Sequence, residues 1–189
     1  MAGRDRPAIP GRRTRLAADL PLLTPDGAPR TLGEVVADRL LVIQLVRYFG
    51  CLPCQEWLIG LDGATDALRS SGASAVAIGG SADYQARWLR DARGVEMPLL
   101  LDPEHRVRDA TGTGSALGLR LAHPRGLLAY AAALGRGMPV QRLTRDTVRS
   151  PGVVILDSSL TVRWVHRGRR IGDYPPLDAV LSAVATLTS

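Results

Sequence analysis

The stretch Leu40-Leu41-Val42-Ile43-Gln44-Leu45-Val46-Arg47-Tyr48-Phe49-Gly50-Cys51-Leu52-Pro53-Cys54 decides how this 189-residue chain is read. Its first seven residues are apolar except for Gln44, the pattern of a central parallel strand covered on both faces. Beyond the second cysteine, Trp57, Leu58, Leu61, Ala64 and Leu68 recur at helical spacing until Ser70-Ser71-Gly72 stops them. This predicts one helix that carries Cys51 and Cys54, the only cysteines of the chain, in its first turn.

On a helix, C-x-x-C places two sulfurs about one turn apart on the same side, within reach of a disulfide. Cys51 at the helix tip faces backbone amides that have no intrahelical partner, and their partial positive charge favours thiolate over thiol. Cys51 is the expected nucleophile. Cys54, one turn deeper, is the expected resolving thiol that attacks a mixed disulfide or sulfenic acid on Cys51. Pro53 fits an early helical position, where no intrahelical hydrogen bond is lost. Arg47 lies four residues before Cys51, at the carboxyl end of the strand, where α/β sites gather. Its guanidinium is expected either to favour a thiolate or hold a peroxide oxygen, or to be an ordinary surface ion-pair partner. Tyr48, Phe49 and Trp57 are expected to shape the pocket. Pro151, directly before a later strand, is expected to face the cysteines with Ser150-Pro151 as a cis peptide.

Two other readings of the pair stand beside redox use. Half a zinc site needs two further ligands, and His105, His123 and His166 lack metal-ligand spacing. Two cysteines buried only for packing is the other. No metal, nucleotide or organic cofactor is implied by the sequence.

Working outward, Leu20 to Leu23, the turn Thr24-Pro25-Asp26-Gly27 and Ala28 to Thr31 read as a hairpin. Thr31 and Glu34 have capping-box spacing, which starts a short helix over 32–38. Ala73 to Ile78 is the next buried strand, followed by a helix through Tyr84, Trp88 and Leu89 with Ser81 as its N-cap. Leu99 to Leu101 is a short strand, and Asp102-Pro103 opens a helix over 104–110. Residues 111–150 break this rhythm and read as an insertion bordering the active face, helical over 127–134. Gly152 to Leu156 and Thr161 to His166 form a closing hairpin, and Leu177, Val180, Leu181, Val184 and Leu187 mark a last helix. The expected architecture is therefore α/β, a three-layer sandwich around a mixed central sheet with an N-terminal hairpin and an insertion before the last hairpin. Residues 16–189 form a single domain in this reading, and 1–15 a disordered basic tail.

The formal net charge is +6, and much of it comes from Arg4, Arg6, Arg12, Arg13 and Arg15, offset by Asp5. A basic tail without a nucleic-acid-binding motif does not point to specific nucleic-acid binding. The longest apolar runs are strand-sized, far below the ~20 residues that span a bilayer, so no membrane partner is expected. No apolar stretch with a cleavage site opens the chain, which points to the cytoplasm, where a working cysteine pair is favoured over a structural disulfide.

Three segments together, Arg47 through Cys54-Gln55-Glu56, then Pro98-Leu99-Leu100-Leu101-Asp102-Pro103-Glu104, then His166-Arg167-Gly168-Arg169-Arg170-Ile171-Gly172-Asp173-Tyr174, resemble the peroxiredoxin-like 2 (AhpC/TSA-related) branch of the thioredoxin-fold superfamily. The resemblance covers about Leu20 to Leu187, including the insertion. It implies a thioredoxin-like fold and an antioxidant or thiol oxidoreductase activity with Cys51 at the reactive position and Cys54 as its partner. The substrate would be a peroxide, conceivably a lipid peroxide, or a disulfide, and the electron donor a thiol of the thioredoxin type. The chain departs from the usual peroxiredoxin motif in having Gln44 and Tyr48 at its proline and threonine positions. The arginine that usually completes the peroxide site falls near Pro151, with Arg149 close by, and Leu45 takes the place of the buried acid of thioredoxin. These departures motivate an alternative, a non-catalytic redox-responsive binding module.

Overall fold

A computed structural model describes residues 14–137 and 140–188. The elements run β1 (Pro21–Leu23), β2 (Pro29–Thr31), α1 (Leu32–Val36), β3 (Leu40–Leu45), α2 (Leu52–Asp62), α3 (Thr65–Ser70), β4 (Ala73–Gly79), α4 (Asp83–Arg93), β5 (Leu99–Leu101), α5 (Arg106–Ala110), α6 (Pro124–Gly135), β6 (Gly152–Leu156), β7 (Val162–Arg167) and α7 (Leu177–Thr188). Short 3-10 turns at Gly118–Ala122 and Arg145–Val148 flank α6 within the insertion.

The strands form one sheet in the order β2-β1-β5-β4-β3-β6-β7. β3, β4 and β5 are parallel, while β1, β2, β6 and β7 join antiparallel. β3 is central because every one of its residues is buried, and alternation splits its side chains between two cores. Leu41, Ile43 and Leu45 pack with Leu32 and Val36 of α1 and Val107 of α5. Leu40 and Val42 pack on the other face with Leu58 and Leu61 of α2, Leu89 of α4, and Val180 and Val184 of α7. Each fully buried Leu or Val of these layers contributes about 1.5–3 kcal/mol.

Several local expectations need correction. Thr14 and Arg15 do not belong to a free tail: Thr14 accepts the Val162 amide at 2.9 Å, and Arg15 bridges Thr161 and donates from Nε to the Ser159 carbonyl at 2.9 Å. Residues 1–13 of that tail lie outside the described residues. The cysteine-bearing helix breaks at Gly63 into α2 and α3. The break turns the Asp62 carboxylate onto the amides of Glu96 and Met97, at 3.2 and 2.6 Å, which tethers the strand β5 to α2. The N-cap of α4 is Ala82 and not Ser81, which lies one residue before it with its amide directed at Asp146 Oδ2. α5 begins later than expected, behind His105, yet Asp102 still caps it by accepting the amides of Arg106 and Val107 at 3.0 and 2.9 Å. The capping box of α1 forms as its spacing predicts, Thr31 and Glu34 exchanging bonds of 2.8 and 3.4 Å.

No peptide bond among the described residues is cis, so Ser150-Pro151 is trans. Ser150 is held in this form from both sides, its amide on the Ser115 carbonyl at 3.1 Å and its own carbonyl under Arg108 Nη1 at 2.7 Å.

Candidate active site

β3 ends at Leu45, and the chain crosses the top of the sheet as Val46 to Gly50 before Cys51 caps α2. Cys51 is the N-cap, Pro53 stands within the first turn and Cys54 one turn in, as the sequence predicts. Both cysteines are free thiols, close together at the start of the helix. Gln44, the one polar residue of the β3 run, faces α2, and its Nε2 donates to the Cys54 carbonyl at 3.0 Å, tying the strand to the first turn.

Arg47 is buried, 1% exposed. Its Nη1 stands 3.5 Å from Cys51 Sγ, its Nε donates to the Arg149 carbonyl at 3.2 Å, and its Nη2 donates to the Thr147 carbonyl. The guanidinium also lies 5.7 Å from the centre of the Tyr48 ring, a cation–π contact. It is therefore buried beside Cys51 and is not a surface ion-pair partner.

The structure places two further residues here that the sequence reading did not single out. Arg108 of α5, 2% exposed, donates to the carbonyls of Val46 and Ser150, which fixes the two chain segments that flank the site. Burial lowers its pKa, countered by nearby acidic groups, Cys54 and Asp146 among them. Arg149, the arginine the sequence offers near Pro151, directs its side chain away, onto the Gly114 carbonyl at 3.1 Å. Tyr174 approaches Cys54 from the loop after β7, its hydroxyl donating to the Leu45 carbonyl at 3.3 Å. Trp57 stacks on its ring at 4.9 Å, and Trp57 Nε1 donates to the Pro175 carbonyl at 2.8 Å. The closing segment His166 to Tyr174 has a mechanical role: His166 Nε2 bonds the Asp173 carbonyl at 3.0 Å, and Asp173 Oδ2 accepts the Arg169 amide at 2.7 Å. Gly168 is required there, since a Cβ would fall 2.6 Å from the Asp173 carbonyl oxygen and from Pro151 Cγ. Pro151 thus braces this loop. No contact between it and either sulfur is among those described.

The sulfurs differ in their electrostatics. Burial pushes the Cys51 thiol well above its ordinary range, and the neighbouring Cys54 adds to the effect. For Cys54 burial acts in the same direction, but the neighbouring Cys51 thiol, the Arg47 charge and the Tyr174 hydroxyl outweigh it and bring the thiol down to about 7. The pair therefore takes its first negative charge, at Cys54, far more easily than a second at Cys51. This differs from the simple expectation of a low pKa at Cys51, because the N-cap thiol is fully covered and keeps its proton beside Cys54.

Both cysteines are 0% exposed, which departs from the open helix tip the sequence suggests. The cover is the insertion. Tyr130 of α6 hydrogen-bonds Tyr48 at 2.9 Å between hydroxyls, and Tyr130 and Ala133 pack on Leu52 and Ile59 of α2. Burial raises the pKa of both tyrosines, so each remains a neutral phenol. A cleft of about 1070 Å³ between the N-terminal hairpin and β5, lined by Asp26, Arg30, Arg90, Met97 and Leu99 among others, includes none of these site residues. Among the described residues no group of three or more His, Cys, Asp or Glu side chains is placed to hold a metal ion. No helix among them is long and apolar enough to cross a membrane.

Known proteins share this arrangement of sheet and helices. The chain superposes on the bacterioferritin comigratory protein of Xanthomonas campestris, studied for alkyl peroxide reduction, with a TM-score of 0.66 and 16% identity, covering 91% of this chain and 94% of that one. The peroxidoxin BcpB from Mycobacterium tuberculosis gives a TM-score of 0.62 at 18% identity, over 95% and 100% of the two chains. At these identities the likeness is one of fold. In sequence, peroxiredoxin-like 2C of Mus musculus is 25% identical over 179 residues, which cover 88% of this chain and 78% of the relative. The AhpC/TSA family model matches residues 14–165, and the chain accordingly belongs to the AhpC/TSA family, the peroxiredoxin-like proteins built on the thioredoxin fold.

Proposed function

We propose that the protein is a thiol-dependent peroxidase in which Cys51 and Cys54 cycle between dithiol and disulfide. The observation that carries this reading is the pair itself, two free thiols close together at the start of α2 with the Arg47 guanidinium 3.5 Å from Cys51 Sγ. Family membership supports the general class, thiol oxidoreductase chemistry that needs no cofactor.

In the proposed cycle the proton shared by the pair moves to Cys54, and Cys51 attacks the distal oxygen of a hydroperoxide as a thiolate. The O–O bond breaks, Cys51 becomes a sulfenic acid and the alkoxide leaves as an alcohol after taking a proton. Cys54 then attacks the Cys51 sulfur, the S–O bond breaks and water leaves. Two equivalents of an external thiol return the disulfide to the dithiol, themselves becoming a disulfide. Arg47 stabilises the thiolate and the developing negative charge on the peroxide oxygen. The donor fits the thioredoxin type, and the reducing cytoplasm supplies it.

The insertion must move aside for a peroxide to reach Cys51, since α6 covers the pair. That requirement also favours a second reading, the redox-responsive module, in which oxidation displaces α6 without turnover. A steady-state assay with cumene hydroperoxide and excess dithiol separates the two. Many turnovers per chain, lost in Cys51→Ser, are expected; a single stoichiometric oxidation that stops despite the reductant would overturn the peroxidase in favour of the module.

A further inference from the structure

Residues 111–150 contain six arginines and a single acidic residue, Asp146. That carboxylate is turned inward. Asp146 is 4% exposed; its Oδ1 lies 2.9 Å from His105 Nε2, and its Oδ2 takes the Ser81 amide at 3.4 Å. Gly80 leaves room for it, since a Cβ on that residue would fall 1.9 Å from Oδ2.

His105 accepts two costs to reach this position. Its backbone is left-handed, with φ 59°, a region that disfavours residues other than glycine. Its Nδ1 is buried without a hydrogen-bond partner among the described residues. What the side chain does make is the contact to Asp146.

From Asp146 the path to the sulfurs is short. The next residue, Thr147, offers its carbonyl to Arg47 Nη2, and Arg149 offers its own to Arg47 Nε at 3.2 Å. Both partners are neutral carbonyls, so the positive charge of Arg47 is left to act on Cys51, 3.5 Å from Nη1. Where those two carbonyls stand therefore sets where the charge stands, and Asp146 is the anchor of the 3-10 turn that carries Thr147.

We propose that His105 and Asp146 form a buried clasp that pins the end of the insertion and thereby positions Arg47 against the cysteine pair, making both of them positioning residues for the thiol chemistry. The clasp rests on the proposed use of Cys51 and Cys54. Its test, however, reads thiolate without turnover, so an inactive protein with an intact clasp and an active protein without one give different results.

The test is a titration of thiolate ultraviolet absorbance in the reduced full-length chain. The groups that face the pair are Arg47, Arg108, Tyr48, Tyr130 and Tyr174, and all are retained in the clasp variants. The sign of the shift discriminates. Deleting a negative charge moves a neighbouring thiol midpoint down if the charge acts directly, whereas loss of the Arg47 contact moves it up. Asp146→Ala and His105→Leu are each expected to raise the midpoint by about one pH unit, about a tenfold lower ratio of thiolate to thiol at a given pH. His105→Gln, which keeps an amide donor for the carboxylate, should stay near the parent. On an Arg47→Gln background, Asp146→Ala should add no further shift, since the effect passes through Arg47. A midpoint that stays or falls in Asp146→Ala, or a shift that adds in full to that of Arg47→Gln, overturns the clasp even where Tm drops. If Asp146→Ala does not fold, the contrast between His105→Leu and His105→Gln decides, and equal midpoints reject the proposal.

Discussion

The central sheet and the insertion over 111–150 treat their apolar residues in opposite ways. In β3 every side chain is buried, with Leu40 the most exposed at 8%. In the insertion Leu127, Leu128, Leu134, Val140, Leu143 and Val148 all stand in solvent, and among the described residues the only other large apolar side chain so exposed is Tyr84. The sheet holds itself together by burial. The insertion holds on through polar contacts such as Tyr130 to Tyr48, Gln85 to the Arg142 carbonyl and Asp146 to His105, and through a small apolar face of Leu117, Leu121, Gly126, Tyr130 and Ala133. The difference separates two jobs. The sheet and α2 fix the cysteines, while the insertion covers them and places the carbonyls that hold Arg47. Substitutions in the first region should act on stability or abolish chemistry, and those in the second should act on access and thiol ionisation.

The largest expected effect comes from the first region. Cys51→Ser should lower peroxidase turnover by about 100-fold or more, because the proposed nucleophile is gone, with circular dichroism unchanged. A variant that keeps its turnover breaks the assignment of chemistry to α2. Next is a paired measurement of stability by denaturant unfolding. Leu45→Ala should cost about 3 kcal/mol, since the side chain is fully buried between packed layers. Leu128→Ala, 67% exposed on α6, should stay within about 0.5 kcal/mol. Similar costs at the two positions would mean that the insertion is packed against something that the described contacts do not include.

Much of the first region was legible in the sequence and little of the second was. The β3 run announced itself because burial on both faces forces apolar residues at successive positions, and Cys51 and Pro53 carry the marks of a helix start. Gln44 was visible as an interruption, but its purpose, a bond to the Cys54 carbonyl, needs the α2 backbone in place. The break at Gly63 was hidden, since the pattern of Leu58, Leu61 and Leu68 continues across it and only Asp62 reaching residues 96 and 97 reveals why the chain turns. Arg108 and Tyr174 lie 54 and 120 residues from Cys54 in the chain, so no spacing connects them to the sulfurs. Tyr174 had one available signal, its place at the end of the segment that begins at His166. Asp146 had another, as the single acid among the arginines of the insertion.

A smaller effect should follow from loosening the cover. Tyr130→Phe removes the bond to Tyr48 and should cost about 1 kcal/mol, and it should speed the reaction of the reduced cysteines with a chromogenic disulfide by several-fold, because α6 opens more often. An unchanged rate would place the cover elsewhere. Finest of all is the pH profile. With Cys54 brought down to about 7 and Cys51 pushed up, the reduced protein should gain the absorbance of one thiolate as pH rises from 6 to 8, and not of two. A free cysteine would ionise near ~8.5. Arg47→Gln should shift the midpoint upward, since the charge that favours thiolate is lost.

The most direct test of the paired-thiol account is the product of a single oxidation. Reduced full-length protein mixed with one equivalent of cumene hydroperoxide, quenched by alkylation and weighed by mass spectrometry, should appear as a single chain with no alkylated cysteine and a peptide joining Cys51 to Cys54. A chain that still alkylates at both cysteines, or that is found linked to a second chain in place of the internal bond, would contradict it.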